Sequence, residues 1–209
     1  MQQLKKVSLM LISMVFVAFS ASINIKAAIG LPAWDAIAQT LSHISTIKVG
    51  TIGMILNISC VFGQIILLKK EFPLRQLLQI PVSVLIGTLI NYFYYTLFDS
   101  LILPNYGVTL LIFLTGTLLA AIAVSMVMAV NIVTFPLEAF CMALALKTGY
   151  RFAVLRQSVD ILAVILTFTF AFTLSVPFTA REGTIIGMLI FAPLLGLFIK
   201  KLRPLVDNI

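Results

Sequence analysis

Six long apolar blocks, at about residues 7–28, 48–68, 77–98, 107–130, 153–174 and 183–199, alternate with short polar stretches along the chain. A bilayer core of about 30 Å takes about 20 apolar residues per helix. Lipid offers no water to satisfy open strand edges, so each block predicts a spanning helix. A membrane barrel would need shorter alternating segments, and the sequence has none. Two further stretches, 33–45 and 136–147, are moderately apolar but too short to cross.

The polar positions repeat. Asp35 and Glu138 lie 103 residues apart, and so do Asn57 and Asp160. A proline precedes each acid, Pro32 in one case and Pro136 in the other. Each half therefore has a long span, a short proline-led segment with an acid, and two more spans. The halves, 1–99 and 100–209, meet near the turn signal Pro104-Asn105-Tyr106-Gly107. Three spans per half is an odd number, so the second half enters the membrane from the opposite side. The expected fold is all-α and polytopic, with about six transmembrane helices in two inverted three-helix repeats, a plan that recurs among secondary transporters.

Composition agrees with this. Hydrophobic residues make up 61% of the chain, charged residues 10%, and mean hydropathy is +1.15, against roughly a quarter charged in soluble domains. The net charge of +7 is a matter of topology, not of nucleic acid. With the amino terminus in the cytoplasm, ten of the 14 Lys and Arg residues fall on the inner side. Only Lys26, Lys48 and Arg181 fall outside, and Arg156 lies within a span. The positive-inside rule then places both termini in the cytoplasm, in a multi-pass protein of the bacterial cytoplasmic membrane. The first block is longer than the about 7–15 apolar residues of a signal core, and its removal would leave one half a helix short. We expect it to be retained.

Chemistry is sparse. No phosphate loop, nucleophile elbow or paired-histidine motif is present. One histidine, His43, and two cysteines, Cys60 and Cys141, make neither a zinc site nor an expected disulfide. We therefore expect no enzyme activity, no metal and no cofactor. Arg156 and Asp160 stand at i and i+4 on one helical face, where each charge costs about 2.5–3.5 kcal/mol at a span's centre. Two readings are open. Arg156 snorkels to headgroups with Asp160 neutralising it, or the pair faces an interior site. Asp35 and Glu138 likewise either cap interfacial helices or lead re-entrant segments that meet at a cavity. Asn91, Tyr92, Tyr94 and Tyr95 are expected to form an interfacial aromatic belt.

These residues resemble a known group. Ile29-Gly30-Leu31-Pro32-Ala33-Trp34-Asp35 resembles the G-x-x-x-W-D element of the YczE/YyaS/YitT-type bacterial membrane proteins. Pro136-Leu137-Glu138 resembles that group's Pro-x-acid element, and Arg156 to Asp160 its Arg-x-x-x-acid element. Gly183-Thr184 with Pro193 resembles its closing positions. This chain departs in having Glu138 where Asp is usual, and Asn131-Ile132-Val133-Thr134 where glycines are expected. The resemblance implies a polytopic inner-membrane protein of a generally uncharacterised group whose members are often guessed to be transporters.

The leading expectation is small-molecule transport, with Asp35, Asn57, Glu138, Arg156 and Asp160 binding substrate. In it Asp160 carries a proton and Arg156 contacts an anion. The alternative is a non-transporting membrane partner that helps another protein or biosynthetic complex assemble. The expected partners are the lipid bilayer, a small-molecule substrate and a second copy of the chain, but no nucleic acid.

Overall fold

The computed structural model describes residues 2–207. It has eight α-helices and, among the described residues, no strand. They are α1 (Gln2–Ala27), α2 (Ala33–Ser45), α3 (Val49–Leu68), α4 (Gln79–Tyr92), α5 (Tyr106–Val130), α6 (Pro136–Thr148), α7 (Phe152–Leu174) and α8 (Glu182–Asp207). A 3₁₀ turn and a π turn extend α4 to Leu74–Leu97. Six helices, all but α2 and α6, are long and apolar enough to cross a membrane. The protein is an all-α, multi-pass membrane protein. All six expected spans are present, and the last continues through Pro193 and Pro204 to Asp207.

Local chemistry sets the helix ends. Pro136 opens α6 at a position where its missing N–H costs nothing. Asn105 caps α5, its side chain accepting from the Val108 N–H. Left-handed residues close α2 at Thr46 and α6 at Gly149, satisfying carbonyls that the helix leaves open.

The 103-residue offset extends to the backbone. Helices begin at Ala33 and Pro136, at Val49 and Phe152, and at Gln79 and Glu182. They end at Ala27 and Val130, and at Ser45 and Thr148. The left-handed residues Ala28 and Asn131 follow the same spacing, as do Thr46 and Gly149. Ser22 and Ser125 also correspond. Each hydroxyl donates to the carbonyl four residues back, and each lies within reach of a carbonyl on α4 (Ile90) or α8 (Leu195).

Packing is crosswise. The first spans of the two halves, α1 and α5, pair at the centre, where Met14, Ala18, Ser20 and Ser22 have no exposed surface. Gly116 admits Asn24 and Ile23 of α1 against α5. The short helix α2 packs on α7 of the other half, and α6 on α3. Loop contacts gather at the two ends of the bundle. At one end Lys147 pairs with Glu71 at 2.6 Å and Arg75 donates to the Asn131 carbonyl at 3.2 Å. At the other Arg181 donates to the Ala28 carbonyl at 2.8 Å and Lys26 to that of Asp99 at 3.0 Å.

Candidate functional site

Between the halves lies a cavity of about 190 Å³. Corresponding residues line it in pairs: Val17 with Ala120, Ala21 with Val124, Pro32 with Phe135, and Asp35 with Glu138. Each of α2 and α6 begins at this cavity and ends toward one end of the bundle. After α1 the chain passes Ala28, tied to Arg181. It then turns inward through an extended segment and starts α2 at the cavity wall. The far end of α2 returns to the neighbourhood of Tyr95, where His43, Thr46 and Lys48 line a second recess. For α6, the inward segment starts at Asn131, held by Arg75, and Lys147 at the far end pairs with Glu71. Gly30 makes the first inward turn possible. It has φ +129°, and any side chain there would strike the Gly183 and Thr184 backbone at the head of α8. The Gly183 N–H donates to the Ile29 carbonyl at 2.8 Å, which fixes the turn.

Four of the five residues expected at the site line this cavity: Asp35, Asn57, Glu138 and Arg156. Asp160 is not among the lining residues and lies behind Arg156. The guanidinium bridges two acids, with Nε 3.4 Å from Glu138 Oε1 and Nη1 against Asp160 Oδ1. Arg156, Glu138 and Asp160 are partly buried, with side-chain exposures of 25%, 21% and 18%. Two of the three guanidinium nitrogens of Arg156 thus face carboxylates. Asp35 differs from Glu138 in having, among the described residues, no charged side chain within ion-pair distance.

Neutral groups complete the walls. Trp34 Nε1 donates to Asn57 Oδ1 at 3.2 Å, so the indole is held in place beside Asp35. Asn24 of α1 lines the cavity too and is 3% exposed. Its Nδ2 donates to Thr117 at 3.4 Å, while its Oδ1 finds no donor among the described residues. Sequence reasoning missed Asn24. The available signal was an amide inside an apolar span, where polar side chains seek partners. Met54, Ile86 and Phe191 supply apolar surface.

Helices α2 and α6 are too short to span, and their two acids line the cavity. Burial raises the Asp35 carboxyl to about 6, with Arg156 opposing and Asp160 and Glu138 adding to the rise. Burial also raises Glu138, but Arg156 and a backbone hydrogen bond pull the other way.

Other expectations fall elsewhere. Asn91 makes specific contacts within the protein. Its Oδ1 accepts from the Gly50 N–H at 2.9 Å and its Nδ2 donates to Thr51 at 3.0 Å, which joins α4 to α3. Tyr95 joins in by accepting from the Val49 N–H at 3.2 Å. His43 is exposed. Cys60 and Cys141 are free and buried in one cluster with Leu137.

Residues 4–200 match the Family of unknown function (DUF6198), and the chain belongs to that family. No curated protein and no solved structure matches it.

Proposed function

We propose that this member of the DUF6198 family is a small-molecule transporter of the bacterial cytoplasmic membrane, with both termini cytoplasmic and its two halves inverted. One observation carries the proposal: residues from corresponding positions in both halves line a single polar-and-apolar cavity. In this reading α2 and α6 are re-entrant from opposite faces, so the cavity sits near the midplane, where inverted-repeat transporters bind their substrates. The likeness of the Trp34-Asp35 and Arg156–Asp160 elements to the YczE/YyaS/YitT-type group supports the polytopic fold and topology of this reading, not the activity.

The roles differ from those the sequence suggested. Glu138, Arg156 and Asp160 form a neutralising chain that holds α6 against α7. Asp35 is the carboxylate that meets solute or proton. Asp35 and Glu138 gate opposite faces as the halves rock about the α1–α5 pair.

The test is transport by reconstituted vesicles that contain a pH-sensitive dye, challenged with a panel of small cationic, anionic and neutral solutes. Transport predicts a solute-dependent pH or solute flux that Asp35→Asn removes. Absence of any flux from folded, correctly inserted protein would overturn it and favour the assembly-partner reading.

A further inference from the structure

We infer that the cavity is a recognition site for a small organic monocation, such as an amine or quaternary ammonium group, with Asp35 as its counter-ion and Trp34 as its aromatic wall. This rests on the cavity described above and names the substrate class of the proposed transporter.

The groups left without partners set the sign of the charge. Three acids, Asp35, Glu138 and Asp160, stand against one cation, Arg156, and that cation is engaged by Glu138 and Asp160. Asp35 is left without an ionic partner among the described residues. Asn24 of α1, nine-tenths or more buried, also lines the cavity, with its Oδ1 packed toward Gly116 of α5 and without a donor. Among the described residues, Arg156 Nη1 is the one buried donor atom of the cavity lining that lacks a hydrogen bond, and it is in ionic contact with Asp160. The charge left unpaired in the cavity is therefore negative, and it sits at Asp35. An anion would meet uncompensated carboxylate, which a low-dielectric site makes costly.

The walls set the kind of cation. Compact metal ions need several oxygen ligands, and no group of three or more His, Cys, Asp or Glu side chains among the described residues is placed to hold one. Most of the lining is carbon, and Trp34 is fixed by its bond to Asn57. Aromatic faces attract ammonium groups, most strongly where water is excluded. A volume of about 190 Å³ leaves room for a small organic cation such as tetramethylammonium. Cation and proton compete for one carboxylate, so the cation displaces a proton from Asp35 only at pH values where that carboxyl is protonated.

Trp34 is the chain's single tryptophan, which provides a direct reporter. Purified protein is titrated with tetramethylammonium chloride while indole emission is followed, with sodium chloride and sodium acetate as matched controls. The expected result is a saturable change specific to tetramethylammonium, weakened at least tenfold in Asp35→Asn and largely retained in Asp35→Glu. Asp35→Glu also guards against a folding defect, since it keeps the charge. Saturation by sodium or by acetate, no response in folded protein, or an unchanged response in Asp35→Asn would each overturn the inference. The titration is independent of flux. Binding without transport would leave the site and remove the transporter reading, whereas transport of anions alone would do the reverse.

Discussion

Helices α3 and α4 and their counterparts α7 and α8 occupy corresponding places in the two halves, yet only the first two pack together along a seam. In the first, Gly50 and Gly87 bring the two backbones together, and a Cβ on either would run into the other's carbonyl oxygen. Asn91 then ties α4 to Gly50 and Thr51 of α3. At the corresponding positions of the second half stand Ala153, Ile190, Leu194 and Val154. No polar clasp is left, and α7 packs on α2 and α6 instead of on α8. The same helices thus divide the work. The first half gives the cavity a sealed wall and a free carboxylate, and the second gives it paired charges and a wall with little holding it shut. A repeated backbone does not require repeated chemistry.

Substitutions at matched positions test this contrast. The largest effect is expected from Gly87→Leu, which forces a side chain into backbone. Its cost should exceed the about 1–3 kcal/mol of ordinary overpacking and remove folded protein from detergent extracts. The matched Ile190→Leu should cost less than about 1.5 kcal/mol. Size-exclusion profiles and thermal midpoints of the two variants would show it, and equal losses would refute the asymmetry.

Next comes Arg156→Met, which leaves Glu138 and Asp160 without a counter-ion. Removing one partner of a buried pair costs about 3–5 kcal/mol. The triple variant Arg156→Met, Glu138→Gln, Asp160→Asn should recover most of the lost thermal stability. If it recovers none, the three residues are not a neutralising chain.

Asn91→Leu should cost about 1–3 kcal/mol by leaving the Gly50 N–H unpaired, measured as reversible unfolding in mixed micelles. Leu194→Asn, its mirror, gains no partner and should not stabilise the second half.

A smaller and graded effect is expected with pH. Asp35 must be ionised to hold a cation, and its carboxyl sits at about 6. Affinity for tetramethylammonium should be constant well above that value and fall by roughly tenfold per pH unit below it. The charged groups that face Asp35 are Arg156 and Asp160 on α7 and Glu138 on α6, and α1 and α3 face the cavity with amides. The same titration in Glu138→Gln should shift the midpoint downward, because one neighbouring negative charge is gone. An upward shift would contradict the assignment.

Much of this architecture is legible in the sequence because lipid imposes simple rules. Apolar length marks the spans, and Pro32 and Pro136 mark the starts of the short helices. The 103-residue spacing by itself also singles out Asp35, Asn57 and Glu138, all of which line the cavity. It fails at Asp160 for a definite reason. Asn57 faces the cavity across Gly53, whereas the residue that corresponds to Gly53 is Arg156, whose side chain stands between Asp160 and the cavity. Asn24 is invisible to the repeat because Val127 occupies its matching position. Asn91, lying among tyrosines, gives an interfacial signal that does not reveal its bonds to α3. Which polar residue finds which partner depends on crosswise packing, and periodicity within one half does not encode it.

The most direct measurement is uptake of radiolabelled tetramethylammonium into reconstituted vesicles made acidic inside, with wild type, Asp35→Asn and Glu138→Gln compared at equal insertion. The account predicts uptake driven by efflux of protons, abolished in Asp35→Asn and retained in part in Glu138→Gln. Equal uptake by wild type and Asp35→Asn, or loss in Glu138→Gln alone, would contradict it.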